Sequence, residues 1–152
     1  MKAVLFFVLS FIVLVSCNKK LSEEEQFDKD IALIKEYISD NNIDATSTDS
    51  GLYYTIDNLG TGNFPNANSE VTVRYKGFFL DGGVFDQSDE FGISFKLQNV
   101  IQGWTEGIQL YKEGGEGLLL VPSKLGYGKQ GKGSVPPNTV MIFEVKLLEI
   151  VQ

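Results

Sequence analysis

A strand, a tight turn and a second strand in the middle of the chain limit most strongly what this sequence can fold into. From Val71 to Leu80, apolar or small residues alternate with polar ones, the pattern of a β-strand with two different faces. One face carries Val71, Val73, Tyr75, Gly77 and Phe79, and the other carries Thr72, Arg74 and Lys76. Asp81-Gly82-Gly83 then predicts a turn, because glycine takes positive φ at little cost. Val84-Phe85-Asp86 leaves that turn as the returning strand.

Other segments predict that this hairpin belongs to a larger sheet. Branched and apolar residues favour strands at Leu52–Ile56, Ile93–Leu97, Gly117–Val121 and Met141–Val151. Trp104–Tyr111, between glycine-rich segments, predicts a short amphipathic helix. We therefore expect an α+β domain over residues 51–152, with an antiparallel β-sheet around a short helix.

The composition excludes several kinds of catalytic site. The chain has no histidine and one cysteine, Cys17, so Ser-His-Asp and Cys-His catalysis and Cys/His zinc sites are ruled out. A metal or glycosidase site made only of carboxylates stays open, although we expect no metal and no cofactor. Acidic residues outnumber basic ones by 20 to 13, giving a net charge of -7. This excess argues against a nucleic-acid partner, which would require a basic face.

Several short motifs recur in order through the second half of the chain. They are Val73-Arg74-Tyr75-Lys76-Gly77, Asp81-Gly82-Gly83-Val84-Phe85-Asp86, Val100-Ile101-Gln102-Gly103-Trp104, Gly126-Tyr127-Gly128, Val135-Pro136-Pro137 and Phe143-Glu144-Val145. Spaced aromatic residues, one acid among them and a Pro-Pro turn would line a small apolar pocket. The set resembles the FKBP-type peptidyl-prolyl cis–trans isomerases over roughly residues 51–152. The resemblance implies the same fold and an isomerase that acts on proline-containing polypeptides.

The resemblance also implies a role for each motif residue. Trp104 would form the floor under the proline ring, and the Ile101 N–H and the Tyr127 hydroxyl would donate to substrate carbonyls. Asp86 would face the twisting amide, and Val135 would lie in the loop that covers the site. The catalytic set would be Asp86, Tyr127, Phe85, Ile101 and Trp104. The remaining substrate contacts would be Tyr75, Phe95, Val100, Val135 and Phe143.

The chemistry of this reaction suits a chain without histidine or a free thiol. Conjugation gives the X-Pro bond a rotation barrier of roughly 18–20 kcal/mol, and uncatalysed exchange takes tens to hundreds of seconds. Twisting the amide breaks the conjugation and reduces its charge separation. A dry apolar pocket therefore favours the twisted amide over the planar one, and the step needs no nucleophile, base or metal.

A short helix is predicted ahead of this domain. Ser22-Glu23-Glu24-Glu25 has the form of a capping box, and Phe27, Ile31, Ile34 and Ile38 follow at helical spacing. The helix should end near Asp40-Asn41-Asn42, and 43–51 should be a linker. The apolar stripe could form a dimer seam, or the helix could fold back on the domain or act as a spacer. The stripe is too short for a sustained heptad seam, so we favour the second alternative and a monomer.

The first residues have the character of a targeting segment. Lys2 precedes an apolar run over residues 3–16, which is shorter than the roughly 20 residues of a membrane span. Leu14-Val15-Ser16-Cys17 resembles the bacterial lipobox, which implies a signal peptide over 1–16 and a lipid on Cys17. An ordinary signal peptide with an incidental cysteine is the alternative. We expect a lipidated tether and helix over 17–50, anchored in the bacterial cell envelope at the outer membrane or periplasmic face.

Two functions follow from this sequence. The first is a lipid-anchored prolyl isomerase that assists the folding of envelope proteins. The second is a non-catalytic chaperone, or a partner-binding module of a secretion or motility complex. The complete aromatic set with Asp86 favours the enzyme, because a scaffold does not require that acid.

Overall fold

The computed structural model describes residues 20–151, so the predicted signal peptide and Cys17 lie outside the described residues. Within that range the chain forms one antiparallel sheet of seven strands in the order β1-β2-β6-β7-β3-β4, and β5 also pairs with β3. The strands are β1 (Thr46–Ser47), β2 (Tyr53–Tyr54), β3 (Glu70–Phe78), β4 (Val84–Gln87), β5 (Ile93–Lys96), β6 (Glu116–Val121) and β7 (Met141–Val151). The α-helices are α1 (Glu23–Asp40) and α2 (Gln102–Gly107). The expected α+β class is therefore confirmed.

The predicted hairpin is present and lies at the centre of the fold. β3 pairs with β7 along its length, while its other edge is shared by β5 near Val71 and β4 near Gly77. Val71 and Val73 are buried and Arg74 is exposed, as the alternation requires. Gly82 takes a φ of +84° in the turn, where its N–H donates to the Phe79 carbonyl. The sheet thus presents one apolar face on which a cavity can form.

Helix α2 packs directly against that apolar face, with glycine at the two positions where it meets β6. A β-carbon on Gly103 would lie 2.6 Å from Val121, and one on Gly107 would lie 2.6 Å from Leu119, so only glycine allows this approach to β6. The helix is shorter than the predicted 104–111, because residues 108–110 continue as a 3-10 turn. The close contact buries Trp104 in the core, 5 % exposed.

Helix α1 folds back onto the opposite face of the sheet. The predicted capping box is present: the Ser22 hydroxyl accepts from the Glu25 N–H, and the Glu25 carboxylate accepts from the Ser22 N–H. Ile34 is fully buried against Leu120 and Ile142, which alternate with residues of the α2 face. The helix therefore folds back on the domain, which is one of the alternatives expected for the apolar stripe. Neither helix within residues 20–151 has the length and apolarity to cross a bilayer.

The segment 43–51 is more ordered than the predicted linker. Thr46–Ser47 forms β1, an edge strand paired with β2, and the intervening turn is closed by the Thr48 N–H and the Leu52 carbonyl. Gly51 has a φ of +89°, and a β-carbon there would lie 2.5 Å from the Phe27 ring of α1. The prediction was wrong because two polar residues give no strand pattern of their own. Their pairing depends on the neighbouring strand.

Candidate active site

A cavity of about 400 Å³ opens on the apolar face, between the β3–β4–β5 edge and the start of α2. It is lined by Tyr75, Phe85, Asp86, Ile93, Phe95, Asn99, Val100, Ile101, Trp104, Tyr127, Lys132 and Phe143. Every predicted site residue except Val135 and Cys17 is in this set. The sheet therefore brings together side chains that are up to 68 positions apart in the sequence, from Tyr75 to Phe143.

The floor and walls of the cavity are an aromatic box centred on Trp104. The edges of Tyr75 and Phe143 meet the indole nearly at right angles, with ring centroids 4.9 and 5.2 Å away. Phe95 lies 5.4 Å from it at a tilt of 47°. Edge-to-face contacts of this kind stabilise ring positions beyond the effect of burial alone. The box is thus a fixed apolar surface, and no acceptor within residues 20–151 bonds the buried Trp104 Nε1.

A β-bulge sets the direction of Phe85 and Asp86. Gly77 pairs with Asp86 and Phe78 pairs with Val84, which leaves Phe85 as the extra residue of β4. Bulges of this kind redirect side chains and are frequent beside active sites. The Phe85 ring lies against Gly77, where a β-carbon would come within 2.6 Å of it. The absence of a side chain at Gly77 therefore makes room for one wall of the cavity.

The acid of the site is held by a tyrosine. The Tyr75 hydroxyl donates to the Asp86 carboxylate over 2.6 Å. Burial raises the pKa of Tyr75 well above its ordinary value, and the hydrogen bond and negative charge of Asp86 raise it further. Tyr75 is therefore a neutral donor at every physiological pH, and it fixes the carboxylate at the cavity mouth. The Asp86 side chain itself is exposed.

Two donors at the cavity have no acceptor among the residues that the structure describes. Neither the Tyr127 hydroxyl nor the Ile101 N–H is bonded to an acceptor within residues 20–151. Burial, and then the charge of Asp86, raises the pKa of Tyr127, so its hydroxyl stays protonated at neutral pH. The ammonium of Lys132 lies 5.4 Å over the Tyr127 ring. The arrangement can donate hydrogen bonds to two carbonyl oxygens beside an apolar ring.

The structure adds residues that the sequence patterns did not single out. Ile93, Asn99 and Lys132 line the cavity, although Ile93 was recognised as a strand residue. The alternation of β5 places Ile93 on the same face as Phe95, and this signal could have identified it. Val135 lies beside the cavity rather than on its lining: it is 5 % exposed and packs in the core. No group of three or more His, Cys, Asp or Glu residues within 20–151 is placed to hold a metal ion.

This fold and site define a small α+β domain with an aromatic cavity and two hydrogen-bond donors beside it. The sequence model of one family, FKBP-type peptidyl-prolyl cis-trans isomerase, matches residues 61–148. The chain belongs to the FKBP-type peptidyl-prolyl cis–trans isomerases, so the family that the motifs resemble is confirmed.

Individual relatives agree with this assignment. The chain is 44% identical over 126 residues to the probable FKBP-type isomerase FkpA of Neisseria meningitidis, covering 81% of this chain and 46% of that protein. It is 42% identical over 106 residues to FkpA of Escherichia coli K12, covering 68% of this chain and 39% of that protein. The chain therefore spans less than half the length of these two relatives.

Solved structures show the same fold. The crystal structure of FkpA from Escherichia coli matches with a TM-score of 0.73 at 36% identity, covering 84% of this chain and 62% of that one. A peptidyl-prolyl isomerase from Pseudomonas syringae matches with a TM-score of 0.74 at 31% identity, covering 89% of this chain and all of that one. The similarity thus extends well beyond the cavity.

Proposed function

We propose that this chain accelerates X-Pro bond rotation in polypeptides by binding the twisted amide in the aromatic cavity. The observation that carries the proposal is the pairing of a packed aromatic box with two donors that have no acceptor within residues 20–151. The proline ring would lie on Trp104, between the edges of Tyr75 and Phe143. The Ile101 N–H and the Tyr127 hydroxyl would donate hydrogen bonds to the carbonyl oxygens on either side of the rotating bond.

Catalysis on this scheme comes from differential binding of the twisted amide. The planar amide is better solvated by water than the twisted one, so transfer into an apolar cavity favours the twisted form. The free hydroxyl and N–H hold the flanking chain while the bond turns, which orients it without any covalent step. The Asp86 carboxylate, fixed by Tyr75, faces the opening where the amide enters. No proton has to move in the slow step.

An isomerisation assay on a short X-Pro peptide tests this function. Tyr127→Phe should lower kcat/KM by roughly two- to tenfold, the range expected for one neutral hydrogen bond. Asp86→Leu should also lower it, and neither change should alter the thermal unfolding midpoint much, because both groups lie at the cavity mouth. Tyr53→Phe is the matched control, since Tyr53 packs in the other apolar cluster, away from the cavity. Wild-type turnover in both cavity variants would refute the assigned roles.

A binding module without catalysis is the second candidate, and exposed apolar side chains beside the cavity favour it. Phe91 is 75% exposed, and two residues further on Ile93, 45% exposed, lines the cavity. Such side chains suit capture of unfolded chains. If the wild-type chain binds unfolded polypeptide but does not accelerate X-Pro exchange, this second function replaces the first.

We also propose that the protein is anchored by lipid in the bacterial cell envelope. The support is the apolar run ending in Leu14-Val15-Ser16-Cys17. Acyl chains on Cys17 would give stable anchoring, since several chains together bind a bilayer far better than one. Cys17→Ser should move the protein from the detergent phase to the aqueous phase. Intact mass of the membrane-extracted protein that starts at Met1 without added lipid would contradict the proposal.

A further inference from the structure

Helix α1 carries a buried acid that the cavity chemistry does not use. Asp30 is fully buried, and its carboxylate accepts hydrogen bonds from the Ser123 N–H over 2.8 Å, the Ser123 hydroxyl over 2.5 Å and the Gln26 side-chain amide over 2.7 Å. A buried carboxylate is costly unless such donors compensate it. Asp30 and Ser123 are 93 residues apart in the chain. The contact therefore joins two distant segments at a fixed point.

Ser123 begins the segment that carries Tyr127. Residues 123–125 and 128–130 form two 3-10 turns with Tyr127 between them. Gly128 and Gly131 have φ values of +54° and +65°. Because glycine has no β-carbon, the backbone of this segment has many accessible conformations when nothing holds it. The first N–H of the opening turn has its acceptor in Asp30 rather than within the segment. One anchor of the segment that carries Tyr127 is therefore on α1.

Two weaker contacts join α1 to the same segment. The ammonium of Lys124 lies 5.2 Å over the Phe27 ring, and Lys129 pairs with Glu23 over 3.3 Å at an exposed site. An exposed ion pair contributes little by itself. The fully buried Ile34, in contrast, packs on the sheet. The helix therefore contacts the sheet through Ile34 and the Tyr127 segment through Asp30, one turn earlier on the same face.

We propose that Asp30 is a positioning residue of the active site: through Ser123 it holds Tyr127 at the cavity, and α1 is thereby part of the isomerase. This inference rests on the proposed isomerase function. Removing the carboxylate leaves the Ser123 N–H and hydroxyl without their buried acceptor, which frees the start of the first turn. The aromatic box, built on the sheet and α2, stays in place. Removal of the Asp30 carboxylate should therefore displace Tyr127 and leave the floor and the walls of the cavity in place.

The test is a double-mutant cycle in the full chain, with peptide isomerisation as the readout. Asp30→Ala should lower kcat/KM by roughly as much as Tyr127→Phe, two- to tenfold, and the double variant should lose little more than either single one. Asp30→Asn keeps one carbonyl oxygen for Ser123 and should restore part of the activity. Asp28→Ala, an exposed acid on the same helix, should have no effect.

Hydrogen exchange provides a readout that does not depend on catalysis. The N–H groups of Gly126 and Gly131 donate within the segment, to the Ser123 and Tyr127 carbonyls. Their exchange should accelerate by roughly tenfold or more in Asp30→Ala, as expected for local opening. Ile34→Ala is the matched control: it also weakens α1, but it should leave these two amides as in the wild type under conditions where both variants are folded.

The outcomes separate the inference from the function on which it rests. Losses that add fully in the double variant, or exchange that rises equally in Asp30→Ala and Ile34→Ala, would mean that Asp30 only stabilises the fold, and would overturn the proposal. An inactive wild-type chain would overturn the proposed function instead. The exchange comparison would still decide whether Asp30 holds the segment.

Discussion

Removal of the Phe143 ring should show how far the fold and the cavity depend on the same side chains. Phe143 is 4% exposed on β7, with its ring 5.2 Å from Trp104 and 5.5 Å from Phe85. Phe143→Ala should lower the free energy of unfolding by roughly 3–5 kcal/mol, since a buried ring is replaced by a cavity. The two edge contacts account for about 0.5–1.5 kcal/mol each within that loss. The free energy of unfolding of a small domain is about 5–15 kcal/mol in total, so the variant should fold but be much less stable.

Urea unfolding followed by Trp104 fluorescence measures this loss, because Trp104 is the one tryptophan of the chain. Peptide isomerisation should fall as well, since one wall and one partner of the indole are lost. Leu147→Ala is the matched control: Leu147 is fully buried on the same strand and does not line the cavity. Leu147→Ala should lower the free energy of unfolding by about 2–5 kcal/mol, while the molecules that remain folded should keep their isomerase activity. A loss below about 1 kcal/mol with full activity in Phe143→Ala would refute the aromatic box as a packed unit.

Three further predictions concern one substitution and two pH responses. Gly77→Ala should lower both the free energy of unfolding and the isomerase activity, because the new β-carbon would displace the Phe85 ring. Wild-type values for both would show that the ring can move without destabilising the fold or the cavity. The catalysed rate constant should be nearly flat from about pH 6 to 8, since the chain has no histidine and burial raises the pKa of Tyr75 and of Tyr127. A bell-shaped profile that disappears in Asp86→Asn would instead reveal a protonation-dependent step. Stability should fall above about pH 10: the unfolded chain then releases tyrosine protons that Tyr75 and Tyr111 retain when folded, because burial raises the pKa of each. The stabilisation that these two tyrosines provide is complete below about pH 10 and is lost as the pH rises toward their raised pKa values. A urea unfolding midpoint that stays constant from pH 9 to 11 would contradict this prediction.

Local patterns were sufficient to predict several elements of the fold. The alternation of β3, the glycine turn after it and the capping box of α1 each depend on neighbours in the sequence, and all are present. The bulge at Phe85 could not be predicted in this way. Whether Phe85 or its neighbour is the extra residue depends on how β4 registers against β3, and Gly77 decides this by leaving space for the ring. Long-range packing, rather than local propensity, sets the direction of that wall.

The same distinction explains why Asp30 escaped the sequence analysis although its signal was present. Asp30 lies three residues after Phe27 and four before Ile34, so it falls on the apolar stripe of α1 rather than on its polar face. An acid inside such a stripe indicates either a solvated edge or a buried carboxylate with donors of its own. The sequence alone could not decide, because two of the three donors come from Ser123, which follows β6 and is 93 residues away. Once the helix is seen to fold back, the buried carboxylate is the only consistent alternative. The folded-back helix and the Tyr127 segment are then joined by this buried contact, and a truncation that removes α1 should disturb the cavity as well as the stability of the sheet.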